Sequence, residues 1–269
     1  MRKYLELFIN AFDDTIDTKT KPENKPYIGY SIEDDKVIYT ISPEAIVYDR
    51  YVTFTAEEDN SSIGLNQLST GQTMEYSMDT ITWNTFDTTT NISLNNGDKV
   101  YVRGVLRWSN SSGEESDFTQ FTMSGKIAAG GNCNAIWNHK NLNAPIKAYC
   151  GYYMFSNCTS LTTAPELPAT TLAKSCYNGM FNNCTSLTTA PELPATTLDV
   201  SCYAGMFSVC SSLTTAPELP ATTLAKSCYN GMFNGCTSLT VAPELPATEL
   251  AYGCYSNMFG GCTSLTTAP

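Results

Sequence analysis

Apolar residues change their spacing twice along this chain, and each change predicts a different architecture. Between Met1 and Asp17, Leu5, Phe8, Ile9, Phe12 and Ile16 recur at three- and four-residue intervals, which predicts an amphipathic helix with one apolar face. Such a helix either packs on its own domain or docks the protein into a larger assembly. The polar, proline-containing TKTKPENKP that follows reads as a linker, so residues 1–26 form a helix-and-linker segment.

Over 27–126 the period falls to two. Val37, Tyr39 and Ile41 alternate with residues of the other face, as do Val52, Phe54 and Ala56, and Met74, Tyr76 and Met78. Ile81 with Trp83, Val100 with Val102, and Phe121 with Met123 continue the pattern. Turn chemistry separates these runs at Asp79-Thr80, at Asn95-Asn96-Gly97-Asp98 and at Ser109 to Gly113. About seven short strands over ~100 residues, with no helical stretch, predict an antiparallel β-sandwich of immunoglobulin-like type. No cysteine lies in this span, so no disulfide joins its sheets.

The third pattern is a repeat. Cys150, Cys176, Cys202, Cys228 and Cys254 stand 26 residues apart, and the sequence between them recurs with small changes. Self-similarity at such a period predicts a solenoid, in which each copy is one coil and neighbours share a core. It occupies 150–269, with the last copy incomplete. Ala128-Ala129-Gly130-Gly131 reads as a hinge. The segment 127–149 then holds that hinge and a degenerate capping repeat, with Ile136, Leu142 and Ile146 in the places of Leu161, Leu167 and Leu172.

Within a coil, Leu161 to Ala164 is the strand candidate. Pro165, Pro191, Pro217, Pro243 and Pro269 each lack an N–H, so strands of only three or four residues are expected. Apolar residues at 172, 173, 176, 177, 180 and 181 predict a short helical segment on the other side. The fold class expected is therefore mixed: an N-terminal all-β immunoglobulin-like sandwich, then a leucine-rich-repeat solenoid with short parallel strands.

The repeat supports a family resemblance at these residues. MFxxCTSLT, a Leu-Pro pair and a Cys-Tyr-x-x-Met-Phe segment resemble the BspA-like leucine-rich repeats over 133–269. The APEL segment departs from that pattern, with a proline where an uninterrupted L-x-x-I-x-I would run. The resemblance implies extracellular attachment, as in surface adhesins of gut bacteria and repeat arrays in phage appendages. It implies no catalytic residues and no cofactor.

Composition narrows the partners. A formal charge of −11 repels phosphate backbones, so nucleic acid is not an expected ligand. No apolar run approaches the ~18 residues of a membrane span. The N-terminus has a basic start, but Glu6 interrupts its apolar stretch, and no small-residue cleavage motif follows; export by a signal peptide is not expected.

Eleven cysteines invite three readings: small buried thiols filling the coil, disulfides within or between coils, and metal ligands. They form two rows, Cys133, Cys158, Cys184, Cys210, Cys236 and Cys262, and Cys150, Cys176, Cys202, Cys228 and Cys254. With no C-x-x-C pair and only His139 as a histidine, zinc is disfavoured. Glu166, Glu192, Glu218 and Glu244 form a carboxylate row that invites a cation or simply faces water. Thr162-Thr163 and Thr170-Thr171 recur in each copy, and alternation along a strand would turn only one of each pair outward. Tyr177 and its equivalents, Trp83 and Trp108 offer aromatic faces for sugars or for core packing. The candidate recognition surface is Thr163, Glu166, Thr189, Glu192, Thr215, Glu218 and Glu244.

No catalytic constellation is present in the sequence, so an enzyme is not expected. The resemblance implies instead a non-enzymatic adhesin or receptor-binding appendage, of the phage tail or fibre type. Its partners would be a host glycan or protein receptor, and other virion proteins through the N-terminal region; a homo-oligomer is compatible with this. A structural spacer or decoration protein, or an adhesin on a bacterial cell surface, is the alternative.

Overall fold

The computed structural model describes residues 28–33, 36–41, 50–106 and 117–267. The helix expected at 1–17, Trp108 and Pro269 lie outside these residues. The chain divides into two compact units, 1–46 and 47–269. In the first, β1 (Ile28–Glu33) and β2 (Lys36–Ile41) pair antiparallel from Ile28 opposite Ile41 to Glu33 opposite Lys36.

The second unit contains β3 (Val52–Ala56), β4 (Ser61–Gln67), β5 (Gln72–Ser77), β6 (Asn84–Thr85), β7 (Asn91–Leu94), β8 (Lys99–Leu106), β9 (Gln120–Ser124), β10 (Ile127–Gly130), α1 (Asn134–Asn138) and β11 (Leu161–Thr163). Six strands form one sheet in the order β11-β10-β3-β8-β5-β6, and β7-β4-β9 form another. The centre is dictated by β-branched and aromatic residues: Val52 lies opposite Val102 and Phe54 opposite Val100, all fully buried. Phe121 from the other sheet closes on Phe54 and Phe86, at ring distances of 5.3 and 6.1 Å. Gly104 admits α1, because the carbonyl oxygen of Ile136 stands where a Cβ would be. Gln72 Nε2 donates to that same oxygen at 3.1 Å, and His139 N donates to Gly104 O at 3.2 Å.

The expected mixed class, an immunoglobulin-like sandwich with a leucine-rich-repeat solenoid, is overturned. Regular structure in the described residues is nearly all β, with one five-residue helix, and neither sheet closes. Among the described residues of the repeats, only the first full copy contributes a strand, Leu161–Thr163, and it joins the six-stranded sheet beside β10. Later copies touch through single parallel bridges, Thr163 to Thr189, Thr171 to Thr197 and Thr215 to Val241. Proline at 165 and its equivalents withholds the N–H that a longer ladder would need. The expected hinge is itself a strand: Ile127–Gly130 pairs antiparallel with β3 and parallel with β11.

The helical segment expected at 172–181 is also absent, replaced by a chain of turns. Cys176, Asn178, Met180, Asn182 and Cys184 donate their N–H groups three residues back. Between them, Ser175, Gly179, Phe181 and Asn183 donate to Val200, Ala204, Met206 and Ser208 of the next copy at 2.8–2.9 Å. The third residue of a turn repeatedly has positive φ, as at Ser175 (53°), Tyr177 (60°), Gly179 (59°) and Asn183 (59°), the signature of type II geometry. A helix would satisfy every N–H internally; this backbone directs alternate ones to its neighbour.

The first copy is covered by the strands before it. Phe155, Phe181, Phe207 and Phe233 each donate N–H to the methionine carbonyl of the next copy at 2.9 Å, and Phe121 of β9 does the same to Met154 at 2.8 Å. Ile127, rather than Ile136, stands opposite Leu161. The ring of Trp137 lies 6.3 Å from Tyr177, at the start of the tyrosine row.

Candidate functional site

The turns sort each copy into an apolar interior and a polar exterior. Inside, Phe155, Phe181, Phe207, Phe233 and Phe259 stack at 5.5–5.8 Å with planes within 7°. Tyr177, Tyr203, Tyr229 and Tyr255 form a second row at 5.7–6.0 Å. Each stacked pair contributes about 0.5–1.5 kcal/mol beyond its burial. The first three tyrosines are buried to within 1%. Their rings are closed to sugars.

All eleven cysteines are free and buried. In the row that begins at Cys133, the thiols of the later copies donate to a phenylalanine carbonyl of the preceding copy: Cys184 to Phe155, Cys210 to Phe181, Cys236 to Phe207 and Cys262 to Phe233, at 3.0–3.1 Å. Cys158 completes the series on Phe121 O at 3.4 Å. Burial pushes the thiols of Cys158, Cys176 and Cys236 up to about 12, and those of Cys150 and Cys184 well above the ordinary range, where neighbouring thiols add to the effect. Thiolate, the reactive form, is thereby suppressed.

Outside, Thr163, Glu166, Thr189, Glu192, Thr215, Glu218 and Glu244 are all exposed. Thr163 lies in β11 and donates its hydroxyl to Ala129 O at 3.0 Å, and Thr189 is bridged to it. Thr215 is bridged to Val241, which breaks the hydroxyl row with an exposed methyl pair. Alternation does not hide half of the threonines: Thr188 and Thr189 are both exposed, as are Thr214 and Thr215 and Thr196 and Thr197. The bridges are single, so no pleated strand continues through these pairs to impose opposite faces.

A further cluster was not readable beforehand. Arg103 of β8 lies opposite Glu75 of β5, and its Nε donates to Glu75 Oε2 at 2.7 Å. The guanidinium sits 3.7 Å from the ring centre of Trp83, which in turn lies 4.8 Å from Tyr51. Trp83 is therefore roofed by Arg103 and offers no open platform on that face. His139 feels the same group: burial lowers its pKa, Arg103 and Lys140 lower it further, and Glu75 opposes them. Opposite charges on alternating positions of two strands were the available signal, but their register was not.

Among the described residues no group of three or more His, Cys, Asp or Glu is arranged to hold a metal ion, and no helix is long and apolar enough to cross a membrane. No protein family, no curated protein and no solved structure matches the chain.

Proposed function

We propose that this chain is a non-enzymatic attachment protein, an adhesin or receptor-binding appendage of phage tail or fibre type, whose repeats meet a host glycan or protein receptor. One observation carries the reading. Thr163, Glu166, Thr189, Glu192, Thr215, Glu218 and Glu244 stand exposed on a backbone bonded copy to copy, while the thiols are buried. Such a surface offers repeated donors and acceptors and no activated nucleophile. The resemblance of the repeat to bacterial surface repeats points the same way.

The near-identity of the copies favours a second reading, in which the repeats only space or decorate a particle. Removal of residues 176–227 joins Ser175 to Cys228 and deletes two copies in register. Binding of the shortened protein to host cells should be lost if the repeats recognise the host; intact binding would leave the spacer role. Mass spectrometry of purified particles tests the virion placement, which fails if the protein is found only on intact cell surfaces.

A further inference from the structure

We propose that the end of the β5–β6 hairpin, with Met78, Ile81, Trp83 and Arg103, is a docking surface for an acidic–apolar segment of a partner protein. The segment would place one carboxylate beside an aliphatic or aromatic side chain. This surface is separate from the repeat rows and does not depend on their role.

Ile81 is 83% exposed and Met78 46% exposed. A single exposed aliphatic residue needs no explanation. Here, however, the turn that carries them is fixed. Asp79 Oδ1 accepts from Ser77 Oγ at 2.9 Å, Ile81 N at 2.9 Å and Thr82 N at 2.7 Å. Ser77 Oγ in turn accepts from Thr80 N at 2.8 Å. A side chain presented on an already ordered turn loses little entropy when it is bound.

Two residues on, Trp83 supports Arg103, and Glu75 holds the guanidinium from the side. The guanidinium uses one of its five N–H donors, the Nε–H, on Glu75, and the Nη atoms carry no hydrogen bond to a described residue. That edge suits a second carboxylate, held bidentately. Lys140, close enough to His139 to act on it with Arg103, adds positive charge, and so does Arg50 next to Tyr51. Against the carboxylates of Glu75 and Asp79, these three cations leave one net positive charge among five groups on a chain of charge −11, which favours an acidic partner segment. Trp, Tyr, Met and Arg are also the residues enriched at the centres of protein interfaces.

The test titrates the full-length, 15N-labelled chain with the peptide Ac-Asp-Leu-Phe-NH2, followed at the Ile81 amide, the Trp83 indole and the Arg103 Nε–H. Saturable shifts at all three are expected, with no response to Ac-Lys-Leu-Phe-NH2. Arg103→Gln and Ile81→Ser should each weaken binding by about tenfold. Ile81→Ser should leave the melting temperature unchanged. No shift with the acidic peptide, or full affinity in either variant, would overturn the proposal. An equal response to sodium glucuronate would make this a sugar-acid site, and concentration-dependent shifts without peptide a self-association surface; either result also overturns it.

Discussion

The ring of Phe121 lies 5.0 Å from that of Phe155, with 18° between their planes, so a strand residue stands where the phenylalanine of a preceding repeat would be. Three relations repeat those between true copies: the ring stack, the N–H to Met154 O, and the carbonyl that accepts the Cys158 thiol. Phe121→Ala should therefore cost about 3–5 kcal/mol, the usual loss for a buried phenylalanine. In urea, tryptophan fluorescence and far-ultraviolet circular dichroism should still report one shared transition. Two separated transitions would show that β9 does not serve as the first layer of the stack.

How much of this was legible depended on whether a pattern carried its own partner. β3 and β8 could be read because Val52, Phe54, Val100 and Val102 alternate with polar or outward residues. β10 could not. Ile-Ala-Ala-Gly has the composition of a hinge, and becomes a strand because β3 and β11 supply hydrogen bonds on both edges. The apolar spacing at 172–181 suits a helix and a run of turns equally, and the choice is made by bonds to the adjacent copy. The exposed threonines and glutamates were readable as repeating polar positions. The pairing of Arg103 with Glu75 required a register that no local signal carries.

Val209 is out of place by the standard of its own repeats. The equivalent residues are Asn157, Asn183, Gly235 and Gly261, and all five have positive φ, 62° at Val209. A β-branched residue is strained there, while asparagine and glycine are tolerated. Because Val209 is 42% exposed, little burial is lost on replacement. Val209→Asn should stabilise the protein by about 1 kcal/mol. An unchanged or lower urea midpoint would contradict the strain.

Asp79 sets the conformation of the turn that presents Ile81. Hydrogen bonds from the Thr82 and Ile81 amides and from the Ser77 hydroxyl lower its pKa from 3.8 to about 2. A carboxyl with a depressed folded pKa stabilises above its ordinary value, and that contribution is lost as pH falls through the folded one. The carboxyl resonance should thus titrate near 2, and the Ile81 amide should lose hydrogen-exchange protection only below pH 3.8. Asp79→Ala should remove that protection at neutral pH. Protection that survives the substitution would separate the turn from its carboxylate.

The buried thiols make the protein sensitive to alkali. In the unfolded chain they ionise around 9.0, whereas burial holds those of Cys158, Cys176 and Cys236 to about 12 and that of Cys228 to about 11. A raised folded pKa means that the unfolded state releases protons first, so their contribution is complete below pH 9 and declines from there towards 12. Each such thiol steepens the decline by about 1.4 kcal/mol per pH unit. Urea midpoints should be level from pH 7 to 8 and fall sharply by pH 10.5; a level profile throughout would contradict this. In the native protein thiol reagents should label slowly at pH 8, and in denaturant without reductant all eleven cysteines should react. Cys184→Ala separates packing from ionisation. It removes the hydrogen bond to Phe155 O and should lower stability by about 1 kcal/mol at neutral pH, yet it should also flatten the alkaline decline by one thiol's share.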